Sequence, residues 1–382
     1  MGPLAGIRIV EIAGIGPGPM AAMMLADMGA QVLRIERQSD PGLGLHRPEK
    51  YNLLLRGRKA LALDLKQEAA VDVVLRLIER ADGLIEGFRP GVMERLGLGP
   101  DICLARNPAL VFGRMTGWGQ DGPLAKSAGH DLNYIALTGA LDAIGRKEQL
   151  PAPPLNLLGD YAGGGAYLAF GMVCALLEVR QSGQGQVVDA AIVDGAAHLT
   201  TGIFALSQAG ITTPERGSNV LDSGAWFYDV YACADGKLVS VAPIEGKFLA
   251  RLLELMDIDP ATLPPQSDRS RWDEGRNVLA AAFRRKTRAE WCALLEGTDA
   301  CFAPVMSMDE AANHPHMRAR RAYLEVDGVV QPAPAPRFSR TRPDTPAPPR
   351  HARHTPLAAA LDGWMSDAEI AALRASGLTI QS

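Results

Sequence analysis

Paired cysteine motifs, a basic surplus and the familiar nucleophile or phosphate-loop signatures are all missing from this 382-residue chain. Its five cysteines, at 103, 174, 233, 292 and 301, are odd in number and widely spaced, with no Cys-x-x-Cys. That pattern argues against a zinc or dithiol framework and fits a reducing, cytoplasmic compartment. A net charge of −4 and a pI of about 6.0 leave no basic face for nucleic acid. The longest uncharged apolar stretch, near 166–177, is shorter than a bilayer-spanning helix, so no membrane insertion is expected. The opening Met-Gly-Pro-Leu-Ala-Gly lacks the regions of a signal peptide and has no Ser or Thr at position 6 for myristoylation, and the closing Ile-Gln-Ser is not a peroxisomal Ser-Lys-Leu. Gly-x-Ser-x-Gly, the Walker loop and His-Glu-x-x-His are absent, which removes support from hydrolase readings.

The chain does carry 40 Gly, 27 Pro and 47% hydrophobic residues, a composition that folds and turns often. At this length two domains are expected. Residues 6–13 alternate as a strand, 19–28 as an Ala/Met-rich helix and Gln31–Glu36 as a second strand. A helix over 66–80, a strand at Gly83–Glu86 and another at 110–115 follow, the last running into a glycine-rich turn at 116–123. Strands alternating with helices predict an α/β fold with a doubly wound parallel sheet. From about 217 the texture changes. A hairpin of 227–233 with 237–242, then helices at 246–256, 270–284 and 287–296, predict a smaller α+β domain over 225–320. Residues 331–356, rich in Pro with Arg and His, read as an extended connector. A capping box, Ser366-Asp-Ala-Glu369, and a stop at Gly377 delimit a final helix.

Asp160 lies within the run Pro-Pro-Leu-Asn-Leu-Leu-Gly-Asp-Tyr-Ala-Gly-Gly-Gly (153–165), which leads into an apolar helix over 166–177. The first turn of a helix favours an anion or a developing oxyanion, and Gly163, Gly164 and Gly165 would let a ligand approach the backbone. Simple capping by Asp160 is the plainer alternative. Gly14-x-Gly16 after the first strand, with Glu36 ending the second, suggests a dinucleotide fingerprint. Pro17 and Pro19 break it, because the pyrophosphate needs the N–H and the third glycine they replace. Basic residues at Arg37, Arg56, Arg58, Lys59, Lys66, Arg89 and Lys126 would suit a polyphosphate if the sheet's loop edge gathers them, with Phe88 beside an adenine. His130, between the glycine-rich turn and an apolar helix, is the second candidate for chemistry, a capping or core role being its alternative. His198 reads as structural. His314 and His316 have no evident third ligand, so no metal is expected.

Several long motifs resemble the α-methylacyl-CoA racemases of the family III CoA-transferase superfamily. They are Val10-Glu-Ile-Ala-Gly-Ile-Gly-Pro-Gly-Pro19, the segment 86–91, Met115-Thr-Gly-Trp-Gly-Gln-Asp-Gly-Pro123, Gly129-His-Asp-Leu-Asn-Tyr134, Pro154-Leu-Asn-Leu-Leu-Gly-Asp-Tyr161 and Gly185-Gln-Val-Val-Asp-Ala190. The likeness runs from the first strand to the Ala-Pro-Arg-Phe-Ser-Arg segment at 335–340. It implies a large Rossmann-like, CoA-binding domain built from 1–200 and from 331–382 returning to it, a small domain between, and an interlocked homodimer. It also implies that His130 and Asp160 are the proton-transfer pair and that Glu245, from the partner's small domain, pairs with the histidine. Arg37, Arg89 and Lys126 become CoA contacts, as do Leu63, Lys66, Gly87 and Phe88. The flanks of Glu245 in Glu245-Gly-Lys-Phe248 depart from the family's pattern.

The residue types suit that chemistry. Inverting the carbon beside a thioester needs a base on one face and an acid on the other, and His130 with Asp160 supplies both without a metal or cofactor. Backbone N–H groups near 161 are expected to hold the enolate oxygen. The rival is a CoA transferase in which Asp160 attacks the thioester to give a mixed anhydride. Such transferases resemble Gly-Tyr-Asp where this chain has Gly-His-Asp. A non-catalytic acyl-CoA binder has no use for two acid–base groups. Met20, Met23 and Met24 are candidates for an acyl-binding surface.

Overall fold

Arg-Ile-Val-Glu-Ile at 8–12 puts aliphatic side chains on both faces of an extended segment, and in the computed structural model it forms a central strand, β1 (Arg8–Ile12). The structure describes residues 2–39, 42, 44–376 and 378. β1 lies between β2 (Gln31–Glu36) and β4 (Gly83–Glu86). Beyond β2 is β3 (Lys59–Ala62), and beyond β4 are β5 (Val111–Thr116) and β6 (Gln186–Ala191). Every pairing is parallel, in the order β3-β2-β1-β4-β5-β6. β3 and β6 had no strand assigned from sequence: Lys-Ala-Leu-Ala is short and Ala-rich, and β6 is exposed along its first four residues, apart from half-buried Val188.

Both sheet faces are covered, which is why the inner strands read as nearly continuous apolar runs. On one face Ile9, Val32, Ile85 and Val111 pack with Ala21, Ala22 and Leu25 of the helix Pro17–Asp27 and with Leu168 and Met172 of Tyr167–Ser182. Met172 lies over Gly83 and Gly113, where an added Cβ would come within 2.7 and 2.6 Å of it. On the other face Val10, Leu33, Leu84 and Phe112 meet Val73, Val74 and Leu77 of Glu68–Ile78, together with Leu357, Leu361 and Trp364 from the end of the chain. Burying each such aliphatic side chain contributes about 1.5–3 kcal/mol. The capping box forms: Glu369 accepts from the Ser366 N–H at 2.7 Å and starts the helix Asp367–Ala375. The stop expected at Gly377 lies outside the described residues.

The helix expected over 166–177 is longer. A π-helical segment, Leu157–Ala166, runs directly into Tyr167–Ser182, giving 26 helical residues that are apolar and long enough to cross a bilayer by length and composition. The length argument made from sequence therefore falls. The apolar side of this helix is used against the sheet, through Leu168, Met172, Ala175 and Leu176.

Part of the expected basic cluster is also spent inside the fold. Arg56 pairs with Asp27 at 2.5 Å and bonds Gln331 and the Pro332 carbonyl, anchoring the start of the connector. Arg58 is buried against Glu11 at 2.5 Å, and Lys59 reaches Asp362. Glu36 is held by Arg34, by His351 at 3.0 Å and by the Ala352 N–H at 3.2 Å. Burial works to raise the Glu36 carboxyl, but these partners hold it below its usual range. It is thus engaged by protein groups and not free for a ribose.

The chain divides into two compact units: 1–138 with 155–199 and 321–382, and 139–154 with 200–320. The stretch 139–154, placed in the large domain by the sequence reading, falls in the second unit, where Arg146 pairs with buried Asp229 at 2.7 Å. That unit has a three-stranded antiparallel sheet of Asp229–Ala232, Leu238–Val241 and Phe302–Pro304. Trp226, Trp272, Phe283 and Trp291 fill its core against the helices Gly246–Met256, Trp272–Phe283 and Arg288–Leu295.

Candidate active site

Parallel pairing sends the carboxyl ends of all six strands to one edge, and the strand order reverses between β1 and β4, the place where doubly wound sheets open a crevice. The turn after β1 brings Gly16 to this edge, β2 brings Arg37, β3 Lys66, β4 Gly87 to Arg89, and β5 the loop to Lys126 and His130. Arg37, Lys66, Gly87, Arg89 and Lys126 are all exposed there, Phe88 is half-buried, and the Arg37 guanidinium lies 6.0 Å from the Phe88 ring centre. Lys66, Arg89 and Lys126 make no ion pair among the described residues. Leu63 differs from the other expected contacts. Its side chain is fully in the core and its N–H bonds the Glu36 carbonyl at 2.9 Å, so its side chain is unavailable to a ligand.

His130 immediately precedes the helix Asp131–Leu137. Its extended backbone donates its N–H to Asn133 Oδ1 at 3.0 Å, while its carbonyl accepts from the Asn133 and Tyr134 N–H groups. The imidazole-bearing residue is exposed on a fixed backbone. Tyr134, one turn on, hydrogen-bonds the Gly129 carbonyl and packs edge-to-face on Trp118 at 4.7 Å. The absence of a side chain at Gly129 makes room for both rings, since a Cβ there would lie 2.8 Å from Tyr134 and 3.1 Å from Trp118. The glycine-rich loop is thereby pinned to the helix that His130 precedes.

Asp160 lies within the π-helical segment, not in the first turn of an α-helix as the sequence suggested. Its N–H donates to Asp131 Oδ1 at 2.5 Å, and the Tyr161 N–H bonds the Asn156 carbonyl at 3.2 Å. Both groups are therefore engaged and cannot hold an enolate oxygen. The three glycines serve protein packing instead of ligand approach. A Cβ at Gly163 would meet Ala196 N at 2.7 Å, at Gly164 the Pro17 side chain at 2.8 Å, and at Gly165 Met20 at 2.8 Å. Bare backbone here lets the π-helical segment press against the helices Pro17–Asp27 and Ile192–Leu199.

The Asp160 carboxyl is half-buried and displaced upward from the usual carboxylate range. Burial is the main cause and the Asp131 charge adds to it, opposed by a hydrogen bond from Asn156 at 3.4 Å and by the charge of His130. His130 and Asp160 thus lie within electrostatic reach of each other. Asp131 is also raised, chiefly by burial, although the Asp160 and Gly159 N–H groups oppose this. Tyr134 is raised by burial and by Asp160, with Arg89 pulling the other way. Asp131 and Asn156 were not singled out from sequence, and Gly16 only as part of the broken dinucleotide fingerprint; each lies in a quoted motif, but only spatial neighbours reveal its part beside Asp160.

Residues 4–355 match the CoA-transferase family III domain. The chain belongs to CoA-transferase family III. Its relatives include an alpha-methylacyl-CoA racemase of Mus musculus, 45% identical over 340 residues and covering 88% of this chain and 87% of that one. The Homo sapiens alpha-methylacyl-CoA racemase is 42% identical over 336 residues, covering 87% and 86%. At greater distance, the succinyl-CoA–L-malate CoA-transferase alpha subunit of Chloroflexus aurantiacus is 30% identical over 364 residues, covering 89% and 83%. Among solved structures, a CAIB/BAIF family protein from Brucella suis shares the fold, with a TM-score of 0.77, 24% identity and coverage of 98% and 99%.

Glu245 is exposed in the second unit at the start of Gly246–Met256 and makes no side-chain capping bond. His314 pairs with Glu296 at 2.7 Å and caps the His316 N–H, and His198 Nδ1 bonds the Tyr167 hydroxyl at 2.6 Å. Met20, Met23 and Met24 are half-buried on the helix that follows Gly16.

Proposed function

We propose that this family III protein is a racemase that inverts C2 of 2-methyl-branched acyl-CoA thioesters. The observation that carries the reading is the nearness of exposed His130 to a half-buried Asp160 whose carboxyl is raised above its usual range by burial. Neutral His130 removes the C2 proton, and the electron pair moves into the thioester to give an enolate. Protonated Asp160 then delivers a proton to the opposite face, leaving imidazolium and carboxylate. That final state is the starting state for the other enantiomer, so one site serves both directions. The two side chains carry both proton transfers, and no cofactor is required.

The CoA moiety lies on the carboxyl edge of the sheet, its phosphates facing Arg37, Lys66, Arg89 and Lys126 and its adenine near Phe88. Against the transferase alternative, the chain carries Gly129-His130-Asp131 where such transferases resemble Gly-Tyr-Asp, which gives the site a second base. We read the protein as a homodimer in which Glu245 of one protomer approaches His130 of its partner. Supporting this, Thr201–Gln208 has no buried residue although Ile203 and Phe204 are apolar, and Phe170 and Leu177 are exposed on Tyr167–Ser182. Five free cysteines suit a cytoplasmic location.

Incubating each enantiomer of a 2-methylacyl-CoA in deuterated water should give both enantiomers with deuterium at C2. Transfer of CoA to an added free acid, with hydrogen retained at C2, would establish the transferase instead.

A further inference from the structure

We infer that Asp131 is the positioning residue of the proton-transfer pair, its buried carboxylate tying the turn that carries Asp160 to the residue that follows His130. This deepens the racemase reading and rests on it. Asp131 is the first residue of its helix, so its Cα is bonded through one peptide to His130. From there Oδ1 crosses to the π-helical segment and accepts the Asp160 N–H at 2.5 Å, together with the Gly159 N–H. One peptide and one hydrogen bond therefore link the backbones of the two acid–base residues. The approach depends on Gly159, because a Cβ at that position would collide with Asp131 Oδ1 and stand 3.0 Å from Ile135 Cγ2.

The second oxygen gives the arrangement its other property. Asp131 is only 8% exposed, and its Oδ2 has no hydrogen-bond partner among the described residues. Keeping an unpartnered carboxylate oxygen in the interior opposes stability, so a purely structural clamp would be served as well by Asn, whose amide oxygen accepts the same N–H groups. What Asp adds is charge beside Asp160: burial raises the Asp131 carboxyl, but the Asp160 and Gly159 N–H groups it accepts favour its ionised form. The groups facing Asp160 are His130 and Tyr134 from the helix side, Asn156 from its own segment, and Asp131; Gly16, from the turn after β1, brings no titratable group. Burial is the main cause that raises the Asp160 carboxyl; among these groups the Asp131 charge adds to it, while the Asn156 hydrogen bond and the His130 charge oppose it.

The test compares wild type, Asp131→Asn and Gly159→Ala, following deuterium entry at C2 from each enantiomer across a pH series, with KM for the CoA thioester. In Asp131→Asn the ionisation of Asp160 should move to lower pH in both directions of reaction. The direction that uses Asp160 as acid loses rate sooner as pH rises, and the direction that uses it as base gains rate sooner. Gly159→Ala displaces the carboxylate but keeps its charge, so kcat should fall roughly 100-fold with KM little changed. An unmoved pH profile in a folded Asp131→Asn protein overturns the proposal. Should that variant not fold, wild-type kcat in Gly159→Ala overturns it. Wild-type enzyme that exchanges no C2 hydrogen would instead defeat the racemase reading itself.

Discussion

Gly16 faces Asp160 so closely that a Cβ added to it would stand 3.0 Å from Asp160 Oδ2. The same residue has φ +66 and ψ −118, a backbone conformation that side chains disfavour. Both constraints call for glycine, and they separate by experiment. Gly16→Ala should lose about 1–3 kcal/mol of stability from the backbone alone, read by urea unfolding. If the opening beside the carboxyl also matters, kcat should fall well beyond the loss of folded protein. Full kcat in the folded fraction would mean that Gly16 serves the turn and nothing more.

Stability and chemistry pull against each other at Asp160. Burial first, and the Asp131 charge after it, raise its carboxyl in the folded chain, against the pull of Asn156 and His130. Between the ordinary carboxylate value and the raised one, the folded state binds more protons than the unfolded state. Stability therefore falls as pH rises through that window and stays lower above it. Asp160→Asn removes the penalty, so its Tm should exceed that of wild type at neutral pH, and the gain should vanish below the ordinary carboxylate range. Isomerisation should be lost in the same variant. A lower Tm than wild type at neutral pH would contradict an Asp160 carboxyl raised by burial.

His130 is exposed, and its backbone N–H is tied into the start of its helix by Asn133. His130→Ala should consequently fold normally and bind CoA as wild type does. Inversion should drop by about 10²–10⁴-fold, the range set by losing one acid–base group. Loss of CoA affinity in that variant would reassign His130 to binding or structure.

The central strands were legible in the sequence because they are buried on both faces and rich in β-branched residues; Gln31–Glu36 and Gly83–Glu86 form as expected. Short Lys59–Ala62 and partly exposed Gln186–Ala191 carried too weak a pattern. At the site, His130 and Asp160 stood out by residue type and motif. Their setting did not, because a π-helical segment has no distinct apolar period, and the Gly-Gly-Gly run looks the same whether it faces a ligand or a helix. Charge was the least readable. Arg56, Arg58 and Lys59 form one run with the look of a phosphate site, yet two of them are buried against Asp27 and Glu11, partners 29 and 47 residues away.

Arg89 is exposed after β4 and has no ion pair among the described residues, although its charge reaches Tyr134. On the proposed CoA site, a phosphate at Arg89 would gain a charge-assisted hydrogen bond in ground and transition states alike. Arg89→Ala should then raise KM for the CoA thioester roughly 10- to 100-fold, the equivalent of about 1.5–3 kcal/mol, with kcat nearly unchanged. A variant that lost kcat at constant KM would place Arg89 on the reacting end of the substrate.

Gly163 distinguishes the two uses of the glycine run. A Cβ there would meet Ala196 N at 2.7 Å, Ala196 Cα at 3.2 Å and the Ile192 carbonyl oxygen at 3.2 Å, all of them backbone atoms that cannot rotate aside. The opposing residue is also glycine, Gly195, whose own Cβ would collide with the Gly163 carbonyl. Gly163→Ala should force the π-helical segment away from Ile192–Leu199 and destabilise the fold by about 1–3 kcal/mol, as overpacking does. Because Asp160 lies less than one turn away in the same segment, kcat should fall with stability while KM changes little. Unchanged unfolding in urea together with a raised KM would show that the bare backbone at 163 faces the ligand after all.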